Sequence, residues 1–251
     1  MHAEPFVIDP RKARCSRLRR TVKAAASQLD WEADQVAVCR GERGFRKTFI
    51  TLTYRRAQDW EPRHVSDFLR LMRQWFHRRG EACRFVWVAE LQQRGALHYH
   101  LVVWVPRRLR LPCPDRCGWW QHGSSKIETA RSPIGYMVKY ATKTRAEDLA
   151  KLPKGVRLHG NGGAGAFSRS MIRLSLWPAW LRERNEQDCF LRFVPTQDAA
   201  DGLGLSLGFT RVRRCRGGVV DADTGEFFET PWRVEINQGV VTAHRRTETV
   251  Q

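Results

Sequence analysis

Glu90-Leu-Gln-Gln-Arg-Gly-Ala-Leu-His98-Tyr-His100, running on into Leu-Val-Val-Trp-Val105, decides the fold of this chain. Its flanks, Arg84 to Leu91 and Leu97 to Val105, are rich in Val, Phe, Trp and Leu and predict two strands. Between them Gln93-Arg94-Gly95 has the form of a three-residue hairpin loop with glycine at the left-handed position. Such a loop sets the register: Gln92 opposite Ala96, Glu90 opposite His98, Val88 opposite His100. Side chains alternate along a strand, so Glu90, His98 and His100 point to one side, while Leu97, Tyr99, Leu101, Val103 and Val105 offer the other to a core. Opposed β-carbons lie roughly 5 Å apart. Two imidazoles and a carboxylate therefore meet in one patch, a donor set for a divalent metal. A hairpin whose polar residues merely face water is the plainer alternative; the matching carboxylate and the turn favour the metal.

Working outward, Phe45 to Tyr54 predicts a strand in which Thr51 and Thr53 alternate with Ile50, Leu52 and Tyr54. From Glu61 to Arg79 the apolar spacing becomes helical, through Val65, Phe68, Leu69, Met72, Trp75 and Phe76, and Gly80 is its stop. That helix is expected to cover the apolar side of the sheet. Downstream, Ser132-Pro133 opens a second helix, with Ser as N-cap and Pro in the first turn. On it Tyr136, Lys139, Tyr140 and Lys143 fall at i, i+3, i+4 and i+7 and share one face; Ile134, Val138 and Ala141 are the expected buried stripe. A Tyr/Lys face can simply be a wet one, but here two Tyr-x-x-Lys units stand in tandem.

Glu90 eight residues before His98-Tyr99-His100, followed by those two tyrosines, resembles the motif set of the HUH endonucleases, specifically the two-tyrosine class of rolling-circle replication initiators. These include the gene A proteins of small single-stranded DNA phages and the replication proteins of filamentous phages. Phe49 to Tyr54 resembles the first motif of that class. Conjugative relaxases place the tyrosine before the histidines, and the transposases of the group carry one; here the histidines come first and the tyrosines are two. The resemblance covers roughly residues 45 to 180.

It implies an α+β fold, a central antiparallel sheet of HUH/RRM-like, ferredoxin-like palm type with helices packed on it. It also implies a chain that starts and ends rolling-circle replication of a phage or plasmid by nicking and religating single-stranded origin DNA through a 5′-phosphotyrosine link. Tyr136 and Tyr140 would be the nucleophiles, Lys139 and Lys143 their charge partners, and Glu90, His98 and His100 the ligands of Mg²⁺ or Mn²⁺. Single-stranded DNA at a replication origin would be the partner, with a host helicase and polymerase, in the cytoplasm of a bacterial cell. The alternatives are a transposase or relaxase of a mobile element, a metal-dependent hydrolase using water, and a non-catalytic single-strand-binding module.

Composition is consistent with a polyanion partner. The 251 residues carry a formal charge of +18 and include ten tryptophans. No run approaches the ~20 apolar residues of a membrane span; the N-terminus lacks an apolar signal core, and seven scattered cysteines predict free thiols in a reducing cytosol. Residues 1–44 are expected to be a basic extension, either a solvated arm or a nucleic-acid-binding one, since Arg11, Lys12, Arg14, Arg17, Arg19, Arg20 and Lys23 crowd one segment. Residues 45–180 would form the endonuclease domain and 181–251 a β-rich extension. Arg107, Arg108 and Arg110, on the exit from the histidine strand, are candidate DNA contacts because they follow the metal patch closely in sequence. Cys113, Cys117 and His122 raise zinc but lack a convincing fourth ligand. Gly160 to Gly165 is expected to be a flexible loop, Arg169 to Trp177 a strand, and Ala199 to Val234 two or three strands with a turn at Asp223-Thr-Gly225. No Gly-Lys-Ser/Thr phosphate loop is present in the sequence, so no use of ATP is expected.

Overall fold

The computed structural model describes residues 5–93, 95–184, 191–195 and 205–246. In chain order its elements are β1 (Phe6–Val7), α1 (Pro10–Cys39), β2 (Phe45–Thr53), α2 (His64–His77), β3 (Arg84–Leu91), β4 (Leu97–Pro106), β5 (Ser125–Thr129), α3 (Pro133–Lys143), β6 (His159–Gly162), α4 (Ala166–Ser175) and α5 (Ala179–Arg184). Seven strands follow: β7 (Leu191–Pro195), β8 (Leu205–Phe209), β9 (Val212–Cys215), β10 (Gly218–Asp221), β11 (Phe227–Glu229), β12 (Trp232–Asn237) and β13 (Val240–Arg245). The class is α+β.

The main sheet is antiparallel throughout, in the order β5-β2-β4-β3-β6. Its centre is the hairpin, in the register the sequence predicts: Glu90 pairs with His98 and Val88 with His100. Gly95 has φ +81°, and Gln92 N–H donates to Ala96 O at 2.9 Å to close the loop; Arg94 lies outside the described residues. Both faces of β4 are buried from Leu97 to Pro106, histidines included. The reading of a hairpin with a wet polar face therefore fails, because helices cover both sides.

On the Tyr99 side lies α2, where Val65, Phe68, Leu69, Met72 and Phe76 are buried at helical spacing. At roughly 1.5–3 kcal/mol for each large side chain fully buried, this stripe is enough to fix the helix on the sheet. Trp87 meets Tyr99 edge-on, and the Arg73 guanidinium lies 5.1 Å from the Phe85 ring.

On the histidine side lie α1 and α3. Residues 10–39 are not a solvated arm but a 30-residue helix in the core, capped by Asp9, whose carboxylate accepts from Arg11 N and Lys12 N. Leu18, Val22, Ala25, Ala26, Leu29 and Ala33 are buried on one stripe, and the crowded basic residues all point outward. The stripe is built mainly of alanine, which lets the helix lie close to the sheet but gives a weak hydrophobic signal in sequence. Polar anchors tie it down: Arg84 donates to Glu32 at 2.8 Å, and Trp104 Nε1 to Asp30 at 2.8 Å.

Two further expectations are corrected. The glycine run is in part the edge strand β6, paired with β3 through Gly162–Phe85 and Gly160–Trp87. A Cβ at Gly160 would stand 2.5 Å from Trp87 Nε1, and one at Gly162 2.7 Å from the Phe85 ring, so the aromatic rings lie over bare backbone. Arg169 to Trp177 is not a strand: most of it is α4, in which the buried Ser168 and Ile172 stand at i and i+4. Ser170 Oγ donates to Phe209 O at 3.0 Å, joining α4 to β8. The stretch from Ala199 holds more strands than two or three, five beginning between Leu205 and Trp232, with Gly225 at φ +78° in its turn; 199–204 lie outside the described residues. The two ends of the chain meet, β1 pairing with β13 through Phe6–Ala243. No helix among the described residues is long and apolar enough to cross a membrane.

Candidate active site

Four elements bring side chains to one patch on the histidine side. β4 supplies His98 and His100, β3 supplies Glu90, and β2, paired beside β4, supplies Thr51 opposite His100 and Phe49 opposite Val102. α3 lies across them. His100 Nε2 stands 2.6 Å from Glu90 Oε2, and Lys143 Nζ donates to Glu90 Oε1 at 2.8 Å. Thr51 Oγ1 is 3.3 Å from His100 Nδ1. The Tyr140 ring stacks on His100 at 3.7 Å and 19°, with the Lys143 ammonium 4.6 Å from the centre of that ring. Phe49 is the floor for both helix tyrosines, 5.5 Å from Tyr140 and 5.2 Å from Tyr136. The His98 ring lies 6.1 Å from that of His100. The histidines are nearly sealed, His98 at 8% exposure and His100 at 4%.

The helix carries its four polar residues less evenly than their spacing predicts. Its buried residues are Pro133, Met137 and Ala141, not the expected set of Ile134, Val138 and Ala141; Ile134 and Val138 are only half-buried. α3 packs against α1 as well as β3 and β4, so it serves two neighbours and turns its stripe by about one residue. Tyr140 thereby sits at the margin of the buried face, against His100. Tyr136 is 37% exposed and reaches only as far in as Phe49. Lys143 closes on Glu90, whereas Lys139 is exposed and makes no side-chain hydrogen bond or ion pair among the described residues. Ser132 stands before Pro133 as predicted, but its side chain makes no capping bond; its carbonyl accepts from Tyr136 N at 3.0 Å.

Partial burial alone would push the Glu90 carboxyl up, but hydrogen bonds from His100 and Lys143, and their charges, outweigh it and hold the pKa at about 2. Glu90 is thus a carboxylate at any ordinary pH. The Tyr140 phenol moves the other way: burial, with Glu90, Glu128 and Tyr136 nearby, raises it above its ordinary value despite Lys143. As it stands, the patch does not acidify Tyr140.

The donor types suit a divalent ion, two imidazoles and an ionised carboxylate on one face. The arrangement is nevertheless not a gathered ligand set, and among the described residues no group of three His, Cys, Asp or Glu is poised to hold a metal. Glu90 is closed onto His100 and Lys143 instead. A neutral His100 that donates Nε2–H to Glu90 needs Nδ1 to accept, and one that offers its Nε2 lone pair to a metal needs Nδ1–H to donate. A hydroxyl can do either, so Thr51 suits both tautomers.

The arginines read as neighbours of the patch are not neighbours. Eight residues of extended β4, at about 3.3 Å each, place Pro106 roughly 26 Å from His98. At that far end Arg107 Nε donates to Arg43 O at 3.1 Å, and Arg108 is paired with Glu81. Arg110 is exposed four residues beyond the strand. The zinc candidates also disperse: Cys113 Sγ donates to Asp115 and Cys117 Sγ to Pro114 O, while His122 stacks on His64 at 3.5 Å. Thr51 and Phe49 escaped sequence reading. Alternation puts them on one face of β2, but some 40 residues separate β2 from β4, and no turn fixes the register between them.

Residues 47–145 match a family model of replication-associated proteins, that of the ORF2 group. The match runs from β2 through the hairpin to the end of α3, and so takes in every element of the patch. No curated protein and no solved structure matches the chain.

Proposed function

We propose that this chain is a replication initiator that nicks and rejoins single-stranded origin DNA in rolling-circle replication. The observation that carries the reading is the stack of Tyr140 on His100, with Lys143 and Glu90 beside it, inside the stretch similar to replication-associated proteins.

A tyrosine hydroxyl of α3 attacks the scissile phosphate. The bond from phosphorus to the 3′ oxygen breaks, that oxygen takes up a proton, and the 5′ phosphate stays on the tyrosine as an ester. The free 3′ hydroxyl can prime synthesis, and the ester keeps the bond energy for rejoining without ATP. Bound at Glu90, His98 and His100, Mg²⁺ or Mn²⁺ would act as Lewis acid toward the phosphate. Thr51 holds the His100 ring in either tautomer, Phe49 and His100 fix the plane of Tyr140, and Lys143 offsets negative charge gathered at the patch. Because Lys143 and His100 both engage Glu90, loading the site frees Lys143 toward the substrate.

Tyr140 is the better placed nucleophile for the first cut, and Tyr136, one helical turn away and more exposed, takes the second transfer. A host helicase and polymerase would supply strand separation and synthesis. The test is to mix the protein with Mn²⁺ and end-labelled single-stranded origin DNA and look for an SDS-resistant adduct. A metal-dependent adduct supports the reading; binding without any adduct would reduce the chain to a single-strand-binding module.

A further inference from the structure

Away from the histidine patch, α1, α4 and β9 enclose a pocket of about 340 Å³. Five arginines line it: Arg17 from α1, Arg173 from α4, and Arg211, Arg213 and Arg214 on and just before β9. No acid is among its lining residues. The nearest carboxylates are already engaged, Asp221 with Thr210, Arg192 and its own turn, and Asp223 with Thr210. Arg173 Nε is buried with no hydrogen-bond partner among the described residues. Burial, and then the charges of Arg211 and Arg169, push the Arg173 guanidinium below its ordinary value; burial, Arg17 and Arg20 do the same to Arg214. Like charges assembled from three elements around a buried unsatisfied donor repel one another and need an anion between them.

Guanidinium groups match phosphate oxygens in pairs, so the anion that fits is a phosphate. The apolar lining residues Trp177 and Val219 are buried, which leaves nothing here to enter a bilayer or stack on a base. Arg17 also stands one turn from Arg14, whose charge is felt at His159. His159 pairs with Val88, and Val88 with His100, so the basic end of α1 lies on the same side of the sheet as the cleavage patch.

We propose that this pocket is a second DNA site, which grips backbone phosphates of the same single strand outside the cleavage patch and without reading sequence. The proposal rests on the chain acting on single-stranded DNA, but its test is read from binding alone, without metal or cleavage.

The experiment compares the wild type with Arg211→Glu/Arg213→Glu, two exposed positions, using fluorescence anisotropy on a short oligothymidylate and on one several times longer across a salt series. The wild type should bind the long probe more tightly. The variant should lose that advantage, with a slope of log affinity against log salt shallower by about 1.4, at about 0.7 for each single-strand phosphate that is no longer neutralised. Short-probe affinity and adduct yield on a short origin oligonucleotide should stay as in the wild type. Arg211→Gln/Arg213→Gln, which removes charge without adding any, should show the same loss, and Arg211→Lys/Arg213→Lys should restore most of the affinity. Unchanged long-probe affinity and slope in both the Glu and Gln pairs would overturn the proposal, as would equal losses on the short and long probes. Absence of an adduct in the wild type would instead count against nicking and leave the binding comparison standing.

Discussion

The two ends of β4 have similar inventories and opposite fates. At one end His98 and His100 sit beside an acid and a lysine; at the other Arg107 and Arg108 also sit beside acids. At the first, Glu90 is shared between His100 and Lys143 and borders on the exposed Tyr136. At the second, Glu81 is almost sealed and taken up by Arg40 and Arg108, so the charges there hold structure together. Charge alone does not mark a reactive site. What separates the ends is an ionised acid with a nucleophile stacked beside it and a route to solvent.

The sharpest way to break the contrast is at the histidine end. His98→Ala/His100→Ala should abolish metal-dependent nicking while sparing most single-strand binding, and a double variant that nicks at the wild-type rate would remove the site. Lys143→Ala comes next: loss of one aligned charge donor should cost about 10²–10³-fold in cleavage rate, measured in single turnover. Lys139→Ala should cost far less, because only Lys143 touches the patch. If both lysines cost the same, the two Tyr-x-x-Lys units are equivalent and the asymmetry of α3 has no consequence.

Acid should sharpen the comparison further. The Glu90 pKa is depressed to about 2, so its pairing adds stability that is full above the ordinary carboxylate pKa near 4.5 and is lost as pH falls toward about 2. Urea melts at pH 5 and pH 3 should show the wild type losing more stability than Glu90→Gln over that interval. The smallest effect belongs to the far end. Arg107→Ala should leave cleavage within about twofold and stability within about 1 kcal/mol, as for other exposed polar contacts.

How much of this was legible in the sequence follows from how far each feature depends on neighbours in the chain. The hairpin was, because a three-residue loop with Gly95 fixes the register of Glu90 against His98. α2 was, because its large side chains repeat cleanly. α1 was hidden by a stripe of alanines beneath a conspicuous set of arginines. β6 was hidden because its glycines, which read as a loop, are what Trp87 and Phe85 require above them. Gly163, at φ +80° with a Cβ position 2.1 Å from Cys83 O, belongs to the same device; Gly163→Ala should destabilise the fold by about 1–3 kcal/mol or more, read by thermal melting. Thr51 and Phe49 could not be placed at all without the long-range pairing of β2 with β4. The rotation of α3 that separates Tyr140 from Tyr136 depends on its packing against α1, which spacing along α3 does not contain.

Everything at the histidine end turns on which side chain takes the phosphate. Wild type, Tyr140→Phe, Tyr136→Phe and the double Phe variant should each be incubated with Mn²⁺ and single-stranded origin DNA, and the covalent peptide mapped by mass spectrometry. The expected result is DNA on Tyr140 in the wild type after one turnover, a reduced yield shifted to Tyr136 in Tyr140→Phe, and no adduct in the double variant. DNA attached to Tyr54, Tyr99 or a serine, with neither tyrosine of α3 labelled, would contradict it.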